Sequence, residues 1–292
     1  MFDLRYHVAS LAAVFLALII GILVGVGIAS QTSVSESDRQ LLEERISGLQ
    51  RDLEAARSDA DLLRRQQRTG TSYIDESYPA VMSGRLRGVH VALLFIGPVN
   101  GELRTAVGRT LADANGPQIT RTRALQLPVE PRAVLDAVPS DMGTPTLEDV
   151  GRALGRELVA GGETPFWDSL ATVVVQDFEG GSEAEVDAVA VAQTARIDDG
   201  PTRRFVNGLY AGLASSAAPA VGIARTDLAP QRIAVYRGRG LSSVDSVDTQ
   251  VGRVALAVLL SGGEEGNYGL NADADAVVPP IEPLALAPPP SG

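Results

Sequence analysis

Side chains able to hold a soft metal or attack a carbonyl are scarce here: two histidines, three methionines and no cysteine in 292 residues. Transition-metal sites need imidazole, thiolate, thioether or clustered carboxylates. His7, His90, Met1, Met82 and Met142 form no such cluster in the sequence, so no metal ligand and no cofactor is assigned. His90 lies within an apolar run and is expected at the edge of a core, whereas His7 falls at the start of the apolar N-terminal segment. A Ser-His-Asp hydrolase needs a base, and His90 has no G-x-S-x-G near it. Residues 97–101, GPVNG, follow an apolar run and open a helix, the position of a phosphate loop. They lack both GxGxxG and the Walker lysine, which leaves a tight turn. Asp245 with Asp248, in SSVDSVDT, and Glu264 with Glu265 are carboxylate pairs able to do acid–base work. Helix capping and solvation account for them more simply, and no catalytic residue is expected.

Chemistry being sparse, the elements carry more information. The chain has an apolar share of 45%, enough for a packed core, and a formal net charge of -11 that repels a phosphate backbone, so nucleic acid is excluded as a partner. Without cysteine there are no disulfides. Residues 8–29, VASLAAVFLALIIGILVGVGIA, carry no charge and only one polar side chain, Ser10. At 1.5 Å per residue this run is long enough to cross a bilayer. A cleaved signal peptide is the competing reading, with small Gly27 and Ala29 before Ser30, but the run exceeds the usual apolar length of such peptides. The expectation is a single-pass anchor with a short cytoplasmic N-terminus and the bulk outside the cytoplasm.

Ala13, Ala17, Gly21, Gly25 and Ala29 recur every four residues, a smooth stripe on which two helices can approach closely in lipid. After a Ser/Thr linker over 31–37, Leu42, Ile46, Leu49, Leu53, Ala56, Ala60 and Leu63 alternate spacings of four and three, the seam of a coiled coil. Both features point to a homodimer. Gly70 is expected to break these heptads.

Beyond it, the apolar run 89–96 suits a strand buried on both faces. Helices are expected over 102–114, 133–138, 147–159, 202–215 and 249–261, and strands over 119–127, 171–176, 186–193 and 220–224. Such alternation implies right-handed crossovers and a Rossmann-like, mostly parallel sheet. Asp248 is the expected cap of the last helix, with Gly262 and Gly263 as its stop. Proline density over 277–292 excludes helix and sheet. The organisation expected is therefore an α/β protein with an anchor at 1–30, linker and coiled coil at 31–70, an extracytoplasmic α/β domain at 71–270 and a Pro-rich disordered tail at 271–292.

The opening RYHVASLAAVFLALIIGILVGVGI, the heptads, and the closing blocks VGIARTD (221–227), GLSSVDSVDTQVGRVALAVLLSGG (240–263) and NYGL (267–270) resemble the actinobacterial copper transporter MctB-like family. The resemblance implies copper efflux or homeostasis at the cell envelope, and copper enters as a partner only through it. For some members it implies a membrane partner role in cell-wall hydrolase control and cell division, through the coiled coil and a second envelope protein. It transfers no catalytic or metal-binding residue.

Overall fold

The uncharged N-terminal run forms one helix, α1 (Leu4–Gln31), in a computed structural model that describes residues 4–31, 36–160, 162–180, 185–227 and 229–283. Its stretch Ser10–Gly27 is long and apolar enough to cross a membrane. A second helix, α2 (Glu36–Met82), follows, and the contacts divide the chain within it into compact units at 1–70 and 71–292. The heptads are expected to end at Gly70, but the helix itself runs on: α2 continues through Gly70 and Pro79 to Met82. Burial is the reason. Tyr78, Val81 and the fully buried Met82 pack on the core of the second unit, which offsets the roughly 1 kcal/mol that glycine costs in a helix. Of the expected linker, Gln31 belongs to α1 and Glu36 and Ser37 to α2, while 32–35 lie outside the described residues.

The second unit is built on seven strands: β1 (Val91–Ile96), β2 (Arg121–Leu125), β3 (Val175–Glu179), β4 (Ala188–Gln193), β5 (Ala220–Ile223), β6 (Ser242–Val244) and β7 (Asn267–Tyr268). They lie in the order β3-β2-β1-β4-β5-β6-β7, parallel except where β2 meets β3. Among the described residues the strands are connected by α3 (Gly101–Asp113), α4 (Pro131–Asp136), α5 (Leu147–Ala160), α6 (Pro165–Val174), α7 (Gly200–Ala214), α8 (Ala229–Arg237) and α9 (Gln250–Leu260). Because side chains alternate along a strand, β1 feeds both layers. Val91, Leu93 and Phe95 join α3, α9 and the end of α2. Ala92, Leu94 and Ile96 join α5, α6 and α7. The strand order reverses between β1 and β4, as in doubly wound sheets. On the second face α5 and α7 touch backbone to backbone, since a Cβ at Gly151, Gly155, Gly208 or Gly212 would strike the facing helix.

Three local expectations are revised. The strand expected at 171–176 is mostly the end of α6, and β3 starts only at Val175. Pro165 starts this helix, the Glu157 carboxylate accepts the free Phe166 and Trp167 amides, and Trp167, Leu170 and Val174 are buried at helical spacing. The cap of α9 is Thr249, which accepts from the Gly252 amide, while Asp248 accepts instead from Thr226. The tail is knitted in as far as it is described: Val278 packs on the core, the Gly269 amide donates to Ala276, and Arg85 donates to the Glu282 carbonyl. Residues 284–292 lie outside the described residues.

Candidate functional site

The residues expected to mediate self-association stand open on the single chain. Ala13, Ala17, Gly21 and Gly25 are exposed on α1, and a Cβ at either glycine would meet nothing within 4 Å. Ala29 lies in the same helix. On α2 the large seam residues Leu42, Ile46, Leu49, Leu53 and Leu63 are each at least half exposed; Ala56 is exposed and Ala60 half-buried between them. Leu41 and Leu62, at 57% and 48% exposure, add apolar surface beside the seam.

In the second unit, the carboxyl edge of the sheet is where doubly wound folds receive ligands. Here the crevice between β1 and β4 is stitched together. The Thr194 and Ala195 amides donate to Ile96, the Thr194 hydroxyl donates to the Pro98 carbonyl at 2.7 Å, and Ala195 packs where a Cβ on Gly97 would stand. Gly97 has φ +113°, confirming the tight turn, and Asn100 caps α3 through the Glu102 and Leu103 amides. Open space lies to one side, in a cleft of about 590 Å³ bordered by the start of α3, Arg109, Arg225, Asp248 and Arg253. Arg225 pairs with Glu102 and lies 3.4 Å from Asp227. Arg253 donates to the Tyr78 hydroxyl at 3.0 Å and stacks over its ring, 5.4 Å from the centroid. Tyr78 in turn donates to Asp113 at 2.6 Å, and burial, then that bond, pushes its phenol up to about 12.

The closing sequence blocks converge beside this edge and serve architecture. Ser243 donates to Asn267 at 2.7 Å, and the 2% exposed Asp245 accepts the Leu270 and Asn271 amides. Gly269 leaves room for that carboxylate, and Gly252 for the Ser246 carbonyl. Asp245 and Asp248 thus hold different loops. Glu264 contributes its carbonyl to Tyr268, and Glu265 borders a separate cavity of about 180 Å³.

His90 sits just before β1, bonded through ring and backbone to Asp187, whose carboxyl is held low chiefly by the His90 amide. Met82 is buried in the core, and Met142 lies in a short 3-10 turn. No group of three or more His, Asp or Glu able to hold a metal occurs among the described residues. Sequence reasoning missed the two arginines buried on β2. Arg121 donates to the Gly162 carbonyl, and Arg123, pushed down to about 10 by burial and then by Arg121, donates to the Thr122 and Glu179 carbonyls. They were legible only as charges inside a strand-like run.

Comparison with curated proteins finds no match. A family model described as "Copper transport outer membrane protein, MctB" matches residues 1–279, spanning the apolar helix, α2 and the whole sheet. With nearly all of the chain covered, and the family resemblance of its opening and closing blocks in agreement, the chain belongs to the MctB family of copper transport proteins.

Proposed function

We propose that this protein serves copper homeostasis at the envelope as a membrane-anchored, non-enzymatic homodimeric scaffold rather than as a conduit. The supporting observation is the apolar seam from Leu42 to Leu63, open along one uninterrupted helix that enters the α/β unit. In this reading α1 crosses the cell membrane with its short N-terminus in the cytoplasm, and the Ala13 to Ala29 stripe pairs two copies in lipid. The α2 seam zips them outside the membrane, and the α/β domain is extracytoplasmic. A helix whose only polar side chain over 8–29 is Ser10 offers no lining for a cation path. Copper efflux would then run through a partner or a larger assembly.

A second reading, control of cell-wall hydrolysis or cell division by docking an envelope protein on the stalk, is favoured by Leu41 and Leu62. Each stands one position before a seam leucine and is exposed on the single chain, so the apolar surface extends beyond the seam positions. The deciding experiment measures copper accumulation and sensitivity in cells lacking the protein, rescued with the full chain or with 39–65 removed. The copper-scaffold reading expects copper to rise and only the full chain to restore it. Copper restored by the stalk-less chain removes the scaffold. Unchanged copper with misdividing or lysing cells that need the stalk replaces the copper role with the second reading.

A further inference from the structure

We infer that the cleft between α3 and α9 binds a phosphate-bearing, multiply charged anion through Arg109, Arg225 and Arg253. This goes beyond the scaffold reading and does not depend on self-association. The cleft lies at the carboxyl ends of β1, β5 and β6, the edge at which parallel sheets present ligands. With the β1–β4 crevice stitched together, this is the space that edge leaves open. Its volume of about 590 Å³ falls within the range of small-molecule sites.

Charge carries the argument further. Three guanidinium groups arrive from three separate segments into one concavity of a chain with formal net charge -11. Each still has donors to offer. Arg253 is held in place by Tyr78, Asp113 and the Asp248 carbonyl, with its side chain 13% exposed, and these contacts engage Nε and Nη1 but not Nη2. Arg225 meets Glu102 through Nη1 and Asp227 through a buried Nε at 3.4 Å, and these contacts leave its Nη2. Arg109 makes no hydrogen bond or ion pair among the described residues. The carboxylates nearby are differently placed. Asp248 is already engaged by the Thr226 amide and hydroxyl. Glu102, 70% exposed at the lip, pairs with Arg225 and occupies the position an incoming anion would take. The α3 amides of Glu102 and Leu103 are satisfied by Asn100, so recognition falls to the arginines. When Glu102 swings out, Asp248 is the one carboxylate left among the lining residues, Asp227 and Asp113 staying paired with the Nε atoms of Arg225 and Arg253, so Arg109 supplies the unpaired charge. That excess suits a phosphate dianion, whose oxygens match the planar forks of arginine.

Free phosphorylated solutes and phospholipid headgroups share this chemistry, and two probes separate them. The full chain, in micelles of a neutral detergent, is titrated calorimetrically with pyrophosphate and, separately, with a water-soluble short-chain phosphatidate. Saturable binding of either is expected, the tighter probe naming the source. Arg109→Gln should weaken it about tenfold, the size of one lost charge-assisted hydrogen bond. Glu102→Gln should tighten it several-fold, a gain that a merely structural role of the Glu102–Arg225 pair does not produce. Arg109 is exposed, so its replacement leaves the fold intact, which the thermal midpoint checks. Failure of both probes to bind, or binding indifferent to both substitutions in folded protein, overturns the inference.

Discussion

Replacing Leu49 and Leu53 with aspartate tests the seam where its contribution can be worked out. These side chains are 67% and 51% exposed on the single chain. Fully burying a leucine is worth roughly 1.5–3 kcal/mol, so covering what the two expose stabilises a pair of copies by roughly 4–7 kcal/mol. At 1.4 kcal/mol per tenfold, their loss raises the dissociation constant by roughly three to five orders of magnitude. Facing carboxylates in a closing apolar seam add desolvation and repulsion to that. The chain contains no cysteine, so a single Ile46→Cys substitution reports on the seam without background. Oxidation in membranes should link Ile46→Cys copies through the seam, and the link should vanish with Leu49→Asp and Leu53→Asp. Circular dichroism should show the α/β unit still folded, because neither leucine belongs to its core. Reporting at position 46 keeps the result separate from pairing through α1. A protein that fails to cross-link before the aspartates are added, or cross-links undiminished after, refutes the reasoning.

Three further outcomes follow from the α/β unit. Gly252→Ala places a methyl against the Ser246 carbonyl, so a change that normally gains about 1 kcal/mol in a helix should here cost about 2 kcal/mol, read as a lower urea midpoint. Asp245→Ala strips the Leu270 and Asn271 amides of a buried acceptor and should cost about 3 kcal/mol or more; an unchanged midpoint would contradict the role given to this block. Asp187, Asp199 and Asp275 are held below the usual carboxylate range, chiefly by the amides of His90, Thr202 and Asn267. Their contribution is present above the unfolded value of about 3.9 and is lost as pH falls through the depressed folded values. The thermal midpoint should therefore drop below about pH 4, and less so in Asp187→Asn; a flat profile from pH 5 to 3 rules this out.

Where burial and periodicity coincide, the fold is legible in the sequence. The run 89–96 is apolar at every position but His90 because both its faces are covered, α3, α5 and α7 each show a buried stripe at helical spacing, and α9 is buried almost all round. What escaped has a physical cause in each case. The strands β6 and β7 are only a few residues long, too short for a period to register. The residues 171–174 are β-branched or small enough to suit a strand, and only the Glu157 cap and the burial of Trp167 turn them into helix. Gly70 interrupts the heptad pattern in the sequence, but docking of Tyr78 and Met82 carries α2 past it as a helix. The cleft arginines were invisible because Arg109, Arg225 and Arg253 are far apart in sequence and belong to no motif.

The stitched β1–β4 crevice has a consequence for how such chains are classified. Strand order alone would place this domain among dinucleotide carriers, and a census built on topology would credit it with a cofactor. The Ala195 methyl stands against Gly97 at the mouth between β1 and β4, and the Thr194 hydroxyl bonds the two lips together. Among chains of this topology, the second residue after β4, which faces the first glycine after β1, is thus the place to look before any nucleotide is assigned.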